Sequence, residues 1–167
     1  AALGLAGAQH ATAACSQYRG QIVMNEVQDP TNGTTYLELR TLNPGIAAAT
    51  NNFAGWKIAA YRKNRQTSVL SSTSADLSSI FTNTSLNNCG QSSAWIRVPD
   101  TSIGTYIAGS NGVNNLNFVL YESSGTQIVD LLRLGTAESF YGAGSSFASC
   151  PEIESSLPSS QYDASWG

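Results

Sequence analysis

The side chains that could do chemistry in this 167-residue chain are few and widely spaced. The sequence holds one histidine, His10, and three cysteines, Cys15, Cys89 and Cys150. Nucleophilic triads need an imidazole in a folded site, and the common zinc sites need several His and Cys ligands at short spacing. His10 lies in an Ala-rich N-terminal stretch, and no two cysteines stand at metal-site or redox-motif spacing. The pattern argues against a histidine-dependent hydrolase, and we predict neither a metal nor a cofactor.

The three cysteines favour one disulfide and one further thiol, as in exported proteins. The possible pairings close loops of about 60 to 135 residues, and their loop-entropy contributions differ by less than about 1 kcal/mol. The pairing among Cys15, Cys89 and Cys150 therefore stays open. Three reduced thiols in a cytosolic protein are the alternative.

Two glutamates form the most suggestive pair of carboxylates. Glu26 and Glu38 fall on neighbouring predicted strands, and two acids facing each other across a sheet can bind a cation or act in acid–base catalysis. A second oxygen-rich group is Asp29, Thr31 and Asn32. These residues are typical of a tight turn, and calcium binding is the alternative reading.

Charged residues are sparse in this chain. Asp, Glu, Lys and Arg make up 11% of the residues, against roughly a quarter in ordinary soluble proteins. Ser, Thr and Asn together supply 50 residues, so small neutral groups must dress the surface. The formal charge of −3 argues against nucleic acid as a partner, because that affinity depends on clustered cations. We interpret the one basic cluster, Arg62, Lys63 and Arg65, as a solvated loop.

Residues 1–19 form an apolar N-terminal segment. Its Ala-rich start favours a short helix, and it is too short to cross a bilayer, which needs about 20 apolar residues. We expect a helix or arm that packs on its own domain or docks on a neighbouring subunit, with Leu3 and Leu5 as candidate contacts. The residues before Cys15 are similar to the end of an export signal. We expect such a signal to be removed before Ala1 and the protein to be extracellular or on a bacterial surface; a lipoprotein anchored at Cys15 is an alternative.

Residues 20–135 carry the pattern of an all-β sandwich, because apolar residues alternate in short runs between clusters of Asn, Gly, Pro and Ser. The predicted strands are residues 21–27, 34–41, 55–62, 94–98, 116–121 and 127–134. Ser74 is predicted to cap one helical turn. Residues 136–167 show no regular period, and we expect an irregular C-terminal extension that wraps over the sandwich or reaches a neighbour through Tyr162 and Trp166.

Four segments of this body carry motifs of one β-sandwich family. They are IVMNEV at 22–27, TYLELR at 35–40, AGWKI at 54–58, and NFVLY with IVD at 117–121 and 128–130. In these segments the chain resembles the lamin-tail domain, an immunoglobulin-like sandwich found in nuclear lamins and in secreted bacterial proteins. The resemblance covers residues 20–135, and it implies framework roles, not catalysis, for Asn25, Glu26, Glu38, Gly55, Trp56 and Asp130.

Within that family, the chain is similar to the N-terminal region of bacterial surface proteins associated with mannose-sensitive haemagglutinin pili. This likeness implies a non-enzymatic structural or accessory subunit of a surface filament or pilus, which associates with itself or with other filament subunits. An adhesin or carbohydrate-binding module using Trp95 or Tyr106 is the alternative. A hydrolase using Glu26 and Glu38 is a minor alternative.

Overall fold

Nine strands and three short helical turns form the described part of the chain. The structure is a computed structural model, and it describes residues 14–28, 35–43, 45–64, 70–81, 94–104, 114–123, 127–134 and 154–157. The strands are β1 (Ala14–Cys15), β2 (Ile22–Gln28), β3 (Tyr36–Thr41), β4 (Lys57–Asn64), β5 (Leu70–Asp76), β6 (Ala94–Pro99), β7 (Asn114–Tyr121), β8 (Gln127–Leu134) and β9 (Glu154–Leu157). Helices α1 (Ile46–Ala49) and α2 (Leu77–Ile80) and a 3-10 turn (Asp100–Ile103) complete the set.

The strands build two sheets. A six-stranded sheet has the order β1-β8-β7-β4-β5 with β9 also on β8, and a three-stranded sheet has the order β2-β3-β6. Strands β2 to β8 pair with one another only in antiparallel fashion, whereas β1 and β9 pair with β8 in parallel. The prediction of an all-β fold is therefore confirmed.

Period-two alternation places one apolar core between the sheets. In the small sheet, Leu37 and Leu39 are fully buried while their neighbours along the strand face outwards. In the large sheet, Phe118 and Leu120 are also fully buried on the side of this core. All four side chains belong to one apolar cluster. Trp56 joins this cluster at the entry to β4 and contacts the ring of Phe53 edge-on at 5.3 Å.

The turn before β4 uses unusual backbone geometry. Asn51, Asn52 and Phe53 have φ of 51°, 56° and 58°, in the left-handed region that Asn tolerates and bulky residues avoid. Phe53 is held there by full burial against aromatic neighbours. Gly55 has φ of 75°, and a Cβ at this position would lie 3.3 Å from the Cβ of Ser123. Both conformation and space therefore favour glycine at residue 55.

The large sheet is buried on both faces over β7 and β8. Val119, Ile128 and Leu131 are fully buried on the face away from the main core, and Tyr61 and Tyr121 pack against them. Consecutive apolar residues in both strands, residues 118–120 in β7 and residues 131–132 in β8, fit this arrangement, because a strand that is covered on both sides needs no polar alternation.

Three local details differ from the sequence prediction. Ser74 does not cap a helical turn, because it pairs with Ala59 inside β5, and Asp76 occupies the N-cap position of α2. Strand β4 continues past the predicted end at Arg62, so Lys63 lies in the strand and not in a loop, because the pairing with β7 continues to residue 64. Helix α1 was not predicted. Among the described residues, no helix has the length and apolar character to cross a membrane.

Candidate functional site

One edge of β8 receives strands from both ends of the chain. Ala14 and Cys15 of β1 pair with Gln127 and Ile128. Further along the same edge, the four residues of β9 pair with Leu131–Leu134. We call this edge of β8, with β1 and β9 on it, the terminal-strand edge. At this edge, two segments from outside residues 20–135 join the large sheet formed by residues 20–135.

A buried polar contact holds the N-terminal strand on this edge. The Ser16 backbone N–H donates to the Ile128 carbonyl at 2.8 Å, and the Ser16 hydroxyl donates to Glu122 Oε2 at 2.7 Å. The same hydroxyl accepts the Tyr18 backbone N–H at 3.0 Å. Ser16 and Glu122 are both buried, so a charge-assisted bond out of water fixes the strand. Sequence reasoning missed this pair.

The segment that follows β1 reaches the main core. The rings of Tyr18 and Trp56 lie 5.4 Å apart, and Trp56 is buried. Residues 14–20 therefore attach to the body through the β8 edge, the Ser16–Glu122 bond and an aromatic contact.

Several residues that the sequence singled out fall outside the described residues. They are Leu3, Leu5, His10, Asp29, Thr31, Asn32, Arg65, Cys89, Tyr106, Cys150, Tyr162 and Trp166. Cys15 lies in β1 and is half-buried. Because Cys89 and Cys150 are not described, the disulfide and its pairing stay a prediction.

Asp130 ties the two sheets together. Its Oδ2 accepts the backbone N–H of Met24 in β2 at 2.6 Å. Both strands are irregular here, with register shifts between Met24 and Glu26 and between Leu120 and Tyr121. Burial raises the pKa of Asp130 to about 6, against the opposing effect of backbone hydrogen bonds from Met24 and Leu131. The carboxylate thus supplies the acceptor that the bulged β2 lacks.

The outward face of the small sheet carries the predicted pair of glutamates. Glu26 lies directly opposite Glu38 in the β2–β3 register. Glu38 Oε1 accepts a hydrogen bond from Asn25 Nδ2 at 3.2 Å, and Oε2 lies 3.6 Å from Arg97 Nε. Both oxygens of Glu38 therefore have partners within the sheet. No group of three His, Cys, Asp or Glu residues within the described ranges could hold a metal ion.

The same face carries two arginines stacked on aromatic rings. The Cζ atom of Arg97 lies 4.6 Å from the centre of the Tyr36 ring. The Cζ atom of Arg40 lies 4.9 Å from the centre of the Trp95 ring. Burial and the charge of Glu26 raise the pKa of Tyr36, and Arg97 opposes this shift. We call this outward face of β2, β3 and β6 the stacked face. Sequence reasoning singled out Trp95 but not Arg40, because the stacking depends on the β3–β6 register.

The described strands define an all-β protein of two packed sheets with a terminal-strand edge and a stacked face. Comparison with known proteins found no matching family model, no matching curated protein and no matching solved structure.

Proposed function

We propose that this protein is an extracellular, non-enzymatic structural or accessory subunit of a bacterial surface filament or pilus, built on the immunoglobulin-like sandwich of the lamin-tail domain. The four motif segments that carry this resemblance lie in or next to β2, β3, β4, β7 and β8. Subunits associate with copies of themselves or with other filament subunits.

The observation that supports this proposal is the terminal-strand edge. An edge strand offers unpaired backbone groups to any extended segment, and β8 pairs with short segments from both ends of the chain. The N-terminal strand has only two residues, so its departure breaks few backbone hydrogen bonds, and an equivalent segment restores them together with the Ser16–Glu122 bond. In a filament, the equivalent segment of a neighbouring copy takes its place, as in strand addition and domain swapping.

The partners of Glu38 also favour a role without catalysis. A general acid or nucleophile must reach a substrate, whereas Glu38 is buried and bound to Asn25 and Arg97. Its contacts suit a residue that holds strands in register.

The test is removal of residues 1–14, followed by electron microscopy and sedimentation velocity. The full chain is expected to assemble, and the truncated chain is expected to stay folded by circular dichroism but to lose assembly. A truncated chain that assembles like the full chain, or a full chain that is monomeric, contradicts the proposal.

A point variant tests whether the Ser16–Glu122 bond holds the N-terminal strand on the terminal-strand edge. Ser16→Ala removes the hydroxyl that pairs with Glu122 and leaves a buried carboxylate without that donor, which costs about 2 kcal/mol. We expect weaker docking of the N-terminal strand, measured as faster hydrogen exchange at residues 14–16. Gln17→Ala is the matched control, because Gln17 is exposed; equal exchange in both variants would contradict a role for the Ser16–Glu122 bond.

A further inference from the structure

Arg40 is a cation with an unmet hydrogen-bond donor. Within the described residues, the Nε atom of Arg40 is buried and has no hydrogen-bond partner. The guanidinium group of Arg40 is stacked on the ring of Trp95. Arg97 on the same face has the carboxylate of Glu38 as its partner. A buried donor without an acceptor is unfavourable, and because the Arg40 side chain as a whole is only half-buried, its guanidinium can turn to meet an acceptor from outside the sheet.

The residues around Arg40 resemble the centre of a protein interface. Val23 and Trp95 lie opposite Arg40 on the two neighbouring strands. Leu42, two residues beyond Arg40, is 46% exposed and is the one exposed large hydrophobic side chain in the described part of the chain. Trp and Arg are enriched where binding energy concentrates. We call Val23, Arg40, Leu42 and Trp95 the Arg40 patch.

The charge distribution of the chain indicates what fits this patch. The protein carries a formal charge of −3. Residues 135–167 contain no Lys or Arg but four acidic residues, Glu138, Glu152, Glu154 and Asp163. The aromatic residues Tyr162 and Trp166 lie on either side of the last of them. A second copy therefore brings carboxylates and aromatic side chains together in one segment, the chemistry that complements a cation beside exposed apolar groups.

We propose that the Arg40 patch binds a second copy of this chain, with Arg40 donating to a carboxylate of the partner while Trp95 and Leu42 bury an adjoining apolar side chain. This inference rests on the proposed function, because it names a surface through which subunits associate. It is separate from the terminal-strand edge, which lies on the other sheet.

The experiment compares self-association of the full-length chain and its variants by sedimentation velocity over a concentration series. Arg40→Gln removes the charge and keeps a shorter side chain that can still donate hydrogen bonds, and it should raise the dissociation constant at least about tenfold. Arg40→Lys should rescue only part of this loss, because an ammonium group cannot bind a carboxylate through two parallel hydrogen bonds. The matched control is Arg97→Gln, which removes an arginine on the same face and should change the constant less than about threefold.

The outcomes separate this inference from the proposed function. Loss of association in Arg40→Gln but not in Arg97→Gln, with unchanged circular dichroism and melting temperature, supports the Arg40 patch. Equal association of Arg40→Gln and the unmodified chain, together with loss of association on removing residues 1–14, overturns the patch alone. A monomeric unmodified chain overturns both.

Discussion

The two sheets differ in what covers their outward faces. On the large sheet, the outward face over β7 and β8 is apolar and buried, with Val119, Ile128 and Leu131 fully covered. On the small sheet, the outward face carries charged and aromatic side chains, and the Arg97 side chain is 67% exposed. The difference indicates that part of the large sheet lies inside the molecule, whereas the small sheet holds charged and aromatic groups at the surface.

The polar groups of the two faces follow the same contrast. On the large sheet, the hydroxyls of Tyr61 and Tyr121 lie 3.4 Å apart, and burial raises the pKa of Tyr121. On the small sheet, polar side chains pair across strands at the surface, as Arg97 and Glu38 do. A hydroxyl suits a covered face because it stays neutral, whereas an ion needs water or a partner.

The largest expected effect comes from opening the covered face. Leu131→Ala removes a fully buried side chain and leaves a cavity, which should lower the free energy of unfolding by about 3 kcal/mol. Chemical denaturation measures the change. Leu42→Ala is the control on the other sheet, and because Leu42 is exposed it should cost less than about 1 kcal/mol. Similar losses in both variants would show that the contrast in burial has no energetic counterpart.

The next effect concerns Asp130, which joins the two sheets by accepting a hydrogen bond from the Met24 backbone N–H. Its folded-state pKa of about 6 lies above the unfolded value of 3.8, so the folded state holds the proton more tightly. This group therefore contributes stability below pH 4 and loses it as the pH rises through about 6, by about 3 kcal/mol in total.

Asp130→Asn keeps an acceptor for the Met24 N–H and removes the titration. The difference in free energy of unfolding between this variant and the unmodified protein should change with pH between about 4 and 7, in favour of the variant at the higher pH. Urea denaturation at several pH values measures it. A difference that is independent of pH would contradict the assignment of this titration to Asp130.

The smallest effect belongs to the stacked face. Arg97→Gln breaks the contact with Glu38, but the arginine is mostly exposed, so the free energy of unfolding should fall by less than about 1 kcal/mol. Thermal melting measures the change. A loss as large as that of Leu131→Ala would mean that the stacked face, and not the covered one, holds the sheets together.

Much of the fold could be predicted from the local pattern. The predicted strand at residues 127–134 has the bounds of β8, because its apolar run lies between a turn and a glycine. The predicted cap at Ser74 was wrong, because the pairing of Ser74 with Ala59 outweighs its preference for a helix end. The glutamate pair was predictable from adjacent strands. The stacking of Arg40 on Trp95 was not, since these two residues lie 55 positions apart in sequence and meet only through the β3–β6 register.

The sequence by itself determined the all-β class of the fold, because period-two alternation is a local property that survives any arrangement of the strands. Only the tertiary structure decided which polar groups meet. Ser16 with Glu122, and Met24 with Asp130, are each separated by 106 residues. No local spacing encodes such contacts, since they form only when distant strands come together in the folded chain.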